Sequence, residues 1–281
     1  MARTKRSTIR AIWLGEALRQ LRDEARLTAR EAGAHLGRDA SSITRMEYGE
    51  IPVSAEILDS FMDMCGISDP YRRTDLQMIR RDAAQPGWWD GYRSDVAPSL
   101  MDRAWVESKA KQVRAFDMAH MPGLLQTPEY AEAVMRAVDV RATDEEISRW
   151  LEVRMTRQHV LSKHQPTQLR CVVDQSLLTR ITGGPSVMKG QLDHLATMGK
   201  RQNIVVRVLP SGEYVGATGS FEVFTLADPY PVIGHVATPV GDVCVEGDSV
   251  GELSNAYDRL WRACLSRKAS DALIRNERSK L

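Results

Sequence analysis

The chain has 281 residues, 43% hydrophobic and 27% charged, so it can bury a sizeable core and form two domains. Its 38 lysines and arginines almost balance 37 acidic residues, and a net charge of +1 excludes a global basic field as the basis of nucleic-acid binding. No apolar stretch could span a bilayer, no hydrophobic run follows the basic start, and the four cysteines lie far apart. We therefore expect a cytoplasmic protein with reduced cysteines.

Basic residues are concentrated at the start of the chain, in a segment that we assign as an arm over residues 1–13. Its first ten residues contain Arg3, Lys5, Arg6 and Arg10 and no acidic residue. Such an arm can neutralise phosphates or enter a minor groove, and Lys5 and Arg6 are its candidate contacts. A solvated terminus without a binding role is the alternative that the sequence leaves open.

The following segment, residues 14–69, has the pattern of a small helical domain. Three leucines share one face of a first helix, which is the spacing of a core-facing stripe. Thr28 and Glu31 are spaced as a capping box at the start of a second helix. Gly37 is placed to end that helix, because glycine turns sharply there without a steric cost. The three leucines are Leu14, Leu18 and Leu21.

A third helix, predicted from residue 40 to residue 48, carries small hydroxyls and one arginine where long charged side chains normally cover the outer face. Small residues let a helix approach another surface closely, and an arginine fork matches the two acceptors on the major-groove edge of guanine. This is the pattern of a recognition helix that reads double-stranded DNA. The candidate DNA contacts on and around this helix are Thr28, Arg38, Ala40, Ser41, Ser42, Thr44 and Arg45.

The segment ARLTAREAGAHLGRDASSITRMEYGE resembles the helix-turn-helix of the Xre family, the Cro and phage-repressor type. The resemblance rests on the Thr28 cap, the Gly37 turn and the helix ending SSITRMEYG. It implies a lambda-repressor-like domain of five helices, and a buried ion pair between Arg22 and Glu47 that ties the first helix to the third. A helical hairpin in a protein that does not bind nucleic acid remains the alternative.

Two more helices are predicted before the second domain. Residues 53–65 carry an apolar stripe after a serine cap, and residues 70–84 begin with a proline in the first turn. Gln-Pro-Gly breaks the latter helix, so we assign residues 70–87 as a connecting helix and linker. Trp88 and Trp89 follow in the densest aromatic cluster, which either packs a domain junction or anchors a partner.

The rest of the chain, residues 88–281, is expected to form a helical segment followed by a mixed α/β domain, which makes the whole protein α+β. Strand-like periodicity begins near residue 169. The predicted strands cover residues 169–173, 204–209, 221–226, 232–236 and 243–246. The predicted helices cover residues 99–118, 128–138, 143–163, 175–181, 186–198, 248–265 and 266–280.

This second part is similar to a C-terminal domain of uncharacterised function that follows Xre-type helix-turn-helices in actinobacterial regulators. The similarity rests on GWWDGY, MPGLLQTPEYAEAVMRA, EVRMTRQHVL, VMKGQLDHL and IVVRVLPSG…GSFEVFTL, in that order. It implies an antitoxin-like regulator that is encoded beside a small partner protein, and it supplies no catalytic residues.

No motif of catalysis or of metal binding is recognisable. HExxH, Cys-x-x-Cys and a glycine-rich phosphate loop do not appear, so we expect no enzyme, no cofactor and no metal. Four acidic residues could surround a pocket, although the sequence alone does not bring them together. They are Asp174, Glu213, Glu222 and Glu246.

The expected function is a sequence-specific transcription regulator that binds a double-stranded operator as a homodimer and is nucleoid-associated when bound. Its C-terminal domain would receive a signal from a small protein partner encoded nearby. The candidate partner surface contains Trp88, Trp89, Leu124 and Leu125, although Leu124 and Leu125 can also fill a core. Gating by a small molecule and neutralisation of a partner, as by an antitoxin, are the alternatives.

Overall fold

The computed structural model describes residues 7–92, 95–212, 215–216, 219–238, 241 and 243–281. The chain forms two compact units, of which the first ends at Asp90 and the second begins at Gly91. The class is α+β, as predicted, because the first unit is helical and the second contains a mixed sheet. Within the described ranges, every helix is too short or too polar to cross a membrane.

Five α-helices lie in the described part of the first unit, residues 7–90, which confirms the predicted helical domain. They are α1 (Ile9–Glu24), α2 (Ala29–His35), α3 (Ala40–Glu47), α4 (Ala55–Met64) and α5 (Pro70–Ala84). The three leucines predicted to share one face of α1 are buried, and they meet the apolar faces of the other helices in one core. That core includes Leu14, Leu18, Leu21, Ile43, Met46, Leu58, Phe61, Met62 and Leu76.

Helix α5, which the sequence suggested as a connector, packs along α1 inside the first unit. Its Leu76 is buried in the shared core. Near its start, Arg72 donates a hydrogen bond of 2.9 Å to Glu24 at the end of α1. At its other end, the Arg10 guanidinium donates hydrogen bonds to two backbone carbonyls. The helix is therefore fastened to α1 at both ends.

The second unit is built on a six-stranded sheet in the order β3-β2-β1-β4-β5-β6. The three strands β1, β2 and β3 are parallel, whereas β4 is antiparallel to β1, β5 to β4, and β6 to β5. The strands are β1 (Ala110–Asp117), β2 (Gln168–Asp174), β3 (Ile204–Leu209), β4 (Phe221–Leu226), β5 (Ile233–Val236) and β6 (Val243–Val245).

Helices cover both faces of this sheet. On one face, Phe116, Val172 and Val223 pack against Tyr257 and Leu260 of α11. Helix α6 packs against β1 and β4, and α8 packs against α6. The helices are α6 (Pro98–Lys109), α7 (Pro128–Val138), α8 (Asp144–Arg157), α9 (Ser176–Thr179), α10 (Pro185–Met198), α11 (Asp248–Ala263) and α12 (Arg267–Ser279).

The prediction of one helix over residues 99–118 is wrong, because α6 ends at Lys109 and the chain continues as β1. Val113 and Phe116 are spaced like one face of a helix, yet both are buried in a strand. The side chains of Val113 and Phe116 lie on opposite faces of the sheet, because the two residues are three positions apart in one strand. Helices cover both of these faces. A central strand that is buried on both sides lacks the alternating pattern by which a strand is recognised.

Candidate functional site: the helix-turn-helix and a buried charged cluster

Side-chain caps define the two helices of the helix-turn-helix. The Thr28 hydroxyl accepts a hydrogen bond from the Glu31 amide, and the Glu31 carboxylate accepts one of 2.8 Å from the Thr28 amide. This reciprocal box fixes the start of α2. Gly37 has a φ of +64°, which only glycine adopts readily, and it reverses the chain. The Asp39 carboxylate then accepts a 2.6 Å hydrogen bond from the Ser42 amide and starts α3, a cap that the sequence reasoning missed.

Close backbone contact places α3 against α1. A Cβ atom added to Gly15 of α1 would lie 2.2 Å from the Glu47 carbonyl oxygen of α3. Gly49, directly after α3, has a φ of +67°, and a Cβ atom there would lie 2.6 Å from the Ala11 carbonyl carbon. These two glycines let the helices approach at a distance that any side chain would increase. The position of α3 is therefore fixed by close backbone contact with α1.

The predicted partners Arg22 and Glu47 form a bidentate ion pair between α1 and α3. Arg22 Nε lies 2.6 Å from Glu47 Oε1, and Arg22 Nη2 lies 3.0 Å from Glu47 Oε2. The side chains are only 12% and 7% exposed. Arg22 also donates a 2.7 Å hydrogen bond to the Leu27 carbonyl ahead of α2, so one guanidinium joins three segments. The hydrogen bonding of Arg22 to the Glu47 carboxylate is the main cause of a raised pKa of Arg22.

The outer face of α3 is exposed, as the sequence pattern predicts. Ile43 and Met46 point inward and are buried, whereas Ser41, Thr44 and Arg45 are exposed. Among the other candidate DNA contacts, Thr28 and Arg38 are exposed, and Ala40 and Ser42 are half-buried. Lys5 and Arg6 lie outside the described residues.

Arg45, the predicted base reader, forms an exposed ion pair with Glu50. Its Nε atom is 3.4 Å from Glu50 Oε2, and both side chains are more than half exposed. An exposed pair at this distance contributes at most about 1 kcal/mol, so a base edge can replace Glu50 at little cost. The Thr44 hydroxyl, one turn from the start of α3, donates to the Ala40 carbonyl and keeps its acceptor capacity.

Only one ring of the predicted tryptophan anchor is accessible. Trp89 is 8% exposed, and the Arg10 guanidinium lies over its ring, 5.8 Å from the centroid. Trp88 is 37% exposed and meets Trp89 edge to face. Trp89 thus belongs to the interior of the first unit, which leaves the exposed part of Trp88 as the remaining surface of this pair.

Leu124 and Leu125 do not form a docking surface. They are 3% and 0% exposed, in a short 3-10 turn that follows a proline. The Leu125 carbonyl accepts a 2.7 Å hydrogen bond from the buried Gln191 side chain of α10, which holds the turn inward. The prediction that these leucines contact a partner is wrong, because apolar side chains after a Pro-Gly turn have filled the core instead.

The second unit contains a buried charged cluster that the sequence reasoning did not assemble. We define it as Arg103, Glu107, Asp117, Arg157 and Glu222. Arg157 of α8 makes two hydrogen bonds to Glu107 of α6, at 2.8 and 2.6 Å, and both side chains are at most 4% exposed. Arg103 of α6 lies 3.3 Å from Glu107 and 2.5 Å from Glu222 of β4.

Protonation in the cluster differs between its acids. Burial raises the pKa of Asp117 to about 7 and that of Glu222 to about 7, against the opposing effect of Arg103. Burial would also raise the pKa of Glu107, but Arg157 and Arg103 outweigh it and hold that pKa below its ordinary value. Two of the three acids are therefore partly protonated near neutral pH, which is a frequent property of functional sites.

The four acids named as possible pocket residues are not brought together as a group by any described contact. Glu222 belongs to the buried charged cluster. Asp174 ends β2, where it accepts hydrogen bonds from the Ser176 amide and hydroxyl. Glu246 follows β6, and Glu213 lies outside the described residues. The only sequence signal for the cluster was an acid inside an apolar strand, FEVF, which marks Glu222 alone.

Two family models match the chain. One, described as a domain of unknown function (DUF5753), matches residues 100–276. The other, described as a helix-turn-helix domain, matches residues 13–74 and so includes α1 to α3 with their caps and the Arg22–Glu47 pair. Neither a curated protein nor a solved structure matches the chain.

Proposed function

Since the chain belongs to the family of the domain of unknown function DUF5753 and carries a helix-turn-helix domain ahead of it, we propose that it is a sequence-specific transcription regulator of the Xre type. The observation that carries the proposal is the outer face of α3, where Ser41, Thr44 and Arg45 are exposed together. Because glycine contacts and an ion pair fix α3 against α1, α3 can enter a major groove as part of a rigid unit.

The roles of the exposed residues follow from their chemistry. Arg45 has the two-pronged donor geometry that reads the O6 and N7 atoms of guanine. The hydroxyls of Ser41 and Thr44 suit phosphates or base edges. Thr28 and Arg38 flank the turn, where contacts to the DNA backbone set the register of the recognition helix.

The test is to select operator sequences with the full chain and then to compare Arg45→Ala with Arg19→Ala, a control at an exposed arginine of α1. We expect Arg45→Ala to weaken the selected operator by about 1–3 kcal/mol, or about 5- to 150-fold, and to relax one base pair. Equal weakening on all sequences would instead identify Arg45 as a phosphate contact. Selection that enriches no sequence would overturn the proposal itself.

We infer that the regulator acts as a homodimer. One helix-turn-helix covers a half-site, and a two-fold operator matches a two-fold protein with half-sites about 34–36 Å apart. The selected operators should therefore be palindromic, and sedimentation should give a dimer at micromolar concentration with operator DNA. A monomer, with and without DNA, would contradict this.

The signal reaching the C-terminal domain is proposed to be a small protein encoded nearby, on the resemblance to antitoxin-like regulators. The exposed part of Trp88 is the one predicted anchor that remains for it. A partner changes DNA affinity only if it binds the DNA-competent and incompetent states differently. The test adds the neighbouring small protein to the regulator–operator complex and follows DNA affinity. No complex and no change in affinity would leave gating by a small molecule, which the buried charged cluster favours.

A further inference from the structure

A cavity of about 530 Å³ lies at the amino ends of β1 and β2 in the second unit. Its lining is basic, and none of the described residues that line it is acidic. The volume is within the range of about 300–1,000 Å³ that is usual for small-molecule sites. The basic residues are Lys109 at the end of α6, Lys111 in β1, and Lys163 and His164 in the loop ahead of β2.

Lysine is uncommon in this chain, which has eight lysines and 30 arginines. Three of the eight lysines nevertheless line this one cavity. The lysine ammonium is a compact charge with three rotatable donors, so it can contact an anion from many directions. A carboxylate offers two oxygens in one plane, whereas a terminal phosphate offers three acceptor oxygens around one atom. Ammonium groups that come from three segments of the chain therefore match a phosphate better than a carboxylate.

An irregularity in the sheet places one of these lysines. Ala110 pairs with Leu226 and Gln112 pairs with Thr225, so Lys111 is an extra residue in β1 and forms a β-bulge. Bulges of this kind re-aim a side chain, and they are frequent beside functional sites. The bulge thus brings an exposed lysine of the strand to the rim of the cavity.

The loop that carries Lys163 and His164 is fastened to the start of β1. Lys163 Nζ donates a hydrogen bond of 2.9 Å to the Ser108 carbonyl. The buried Thr167 hydroxyl, just before β2, donates one of 2.9 Å to the Ala110 carbonyl. The wall of the cavity is therefore formed before a ligand arrives, which lowers the entropy cost of binding.

The positive charges at the cavity repel each other. Partial burial lowers the pKa of Lys163, and the charge of Lys109 lowers it further. Lys109 Nζ lies over the Trp105 ring, 5.9 Å from its centroid. Asp228 follows the lining residue Ala227, but it is exposed and does not itself line the cavity. An anion bound among the lysines would relieve this repulsion.

We propose that this cavity binds the phosphate group of a small phosphorylated molecule, of the sugar-phosphate or nucleotide class. Lys109, Lys111 and Lys163 donate hydrogen bonds to the phosphate oxygens, and Lys163 has donors left beyond the one that it gives to Ser108. The rest of the ligand lies against Pro166 and Ala227, the apolar part of the lining. The site belongs to the second unit and does not depend on DNA binding.

The experiment titrates AMP and ribose-5-phosphate into the full chain at low salt and follows the ligand signals by saturation-transfer NMR. Adenosine is the control for the phosphate group, and citrate is the control for negative charge alone. We expect at least one phosphorylated probe to bind, and its affinity to fall about fivefold or more in Lys111→Gln and in Lys163→Gln. AMP against ribose-5-phosphate distinguishes a nucleotide from a sugar phosphate.

Two further variants separate charge at the cavity from other effects of substitution. Lys189→Gln removes a lysine of α10 that does not line the cavity, so it should bind the probe like the unaltered chain. Lys111→Arg keeps the positive charge at the bulge and should retain binding. Lys111 and Lys163 are exposed, so their glutamine variants should melt like the unaltered chain.

Four results would overturn the proposal. They are no binding of either phosphorylated probe at about 1 mM, binding of adenosine or citrate as tight as that of the phosphorylated probes, unchanged binding in both glutamine variants, and a loss of affinity for a random-sequence DNA duplex in Lys111→Gln but not in Lys189→Gln. The last result would assign the lysines to the phosphates of the DNA backbone. A chain that binds AMP but selects no operator would keep this site and lose the regulator proposal.

Discussion

Glu47→Gln is expected to destabilise the first unit strongly, because it removes one member of a buried ion pair while keeping the side-chain shape. Glu47 accepts two charge-assisted hydrogen bonds from Arg22, at 2.6 and 3.0 Å. In the Glu47→Gln protein, the Arg22 guanidinium, which is 12% exposed, keeps its charge but loses the carboxylate that accepted both of its hydrogen bonds. Water cannot replace that partner at such low exposure.

The magnitude follows from what Arg22 retains. Breaking a buried pair by removing one partner costs about 3–5 kcal/mol. Arg22 keeps the Leu27 carbonyl at 2.7 Å and Asp23 at 2.7 Å, so the expected loss lies near about 3 kcal/mol, at the lower end of that range. For a domain of this size, about 3 kcal/mol corresponds to a fall in Tm of about 12–24 °C.

Scanning calorimetry of the full chain measures the fall, and hydrogen exchange of α1 and α3 localises it to the first unit. Glu50→Gln is the control, because the Arg45–Glu50 pair is exposed and should contribute less than about 1 kcal/mol. Replacing both Arg22 and Glu47 by apolar residues should recover much of the loss. A loss below about 1 kcal/mol in Glu47→Gln would refute the reasoning, because it would show that the buried guanidinium does not depend on the Glu47 carboxylate.

Three other changes have defined outcomes. Gly15→Ala should disrupt the α1–α3 contact, because the new Cβ atom would lie 2.2 Å from a carbonyl oxygen, and both Tm and operator affinity should fall. Leu125→Ala should cost about 2–5 kcal/mol in urea unfolding if the leucine fills the core, and almost nothing if it serves a partner. Asp117 and Glu222 have pKa values raised to about 7, so their contribution to stability is complete below about pH 4 and lost as pH rises through 7. Asp117→Asn should flatten that decline in unfolding measurements between pH 5 and 8, and an unchanged slope would contradict it.

The helix-turn-helix could be read from the sequence because its determinants are local. Caps, turn glycines and apolar spacing act within a few residues, and Thr28, Glu31 and Gly37 all have the predicted roles. The Arg22–Glu47 pair spans more of the chain and came from a family resemblance, not from spacing. The close approach of α1 and α3 could not be predicted from local patterns. Gly15 lies inside a helix, and nothing in the neighbouring sequence indicates that it faces the Glu47 carbonyl.

The C-terminal unit was harder to read because its central strand has no characteristic period. Strands β2, β3 and β4 were recognised as β-branched or apolar runs, whereas β1 was assigned to a helix. Val113 and Phe116 are buried on opposite faces of the sheet, so their three-residue spacing imitated a helical face. Leu124 and Leu125 show the converse difficulty, because an apolar pair beside a turn has the same sequence whether it faces a partner or the core.

The buried charged cluster lies beyond any local pattern, because its members come together only after α6 and α8 pack on the strand pair β1–β4. Forming it requires desolvating five charged or ionisable groups, and a stable core does not need them, since buried ion pairs can often be replaced by apolar residues without loss. Glu107 is matched by two arginines and has a lowered pKa, so it can be structural. Asp117 is not matched in this way, and its Oδ2 atom has no hydrogen-bond partner among the residues that the structure describes. The cost of burying Glu107 is therefore offset by pairing within the chain, whereas burial raises the pKa of Asp117 to about 7 and leaves that group partly protonated near neutral pH.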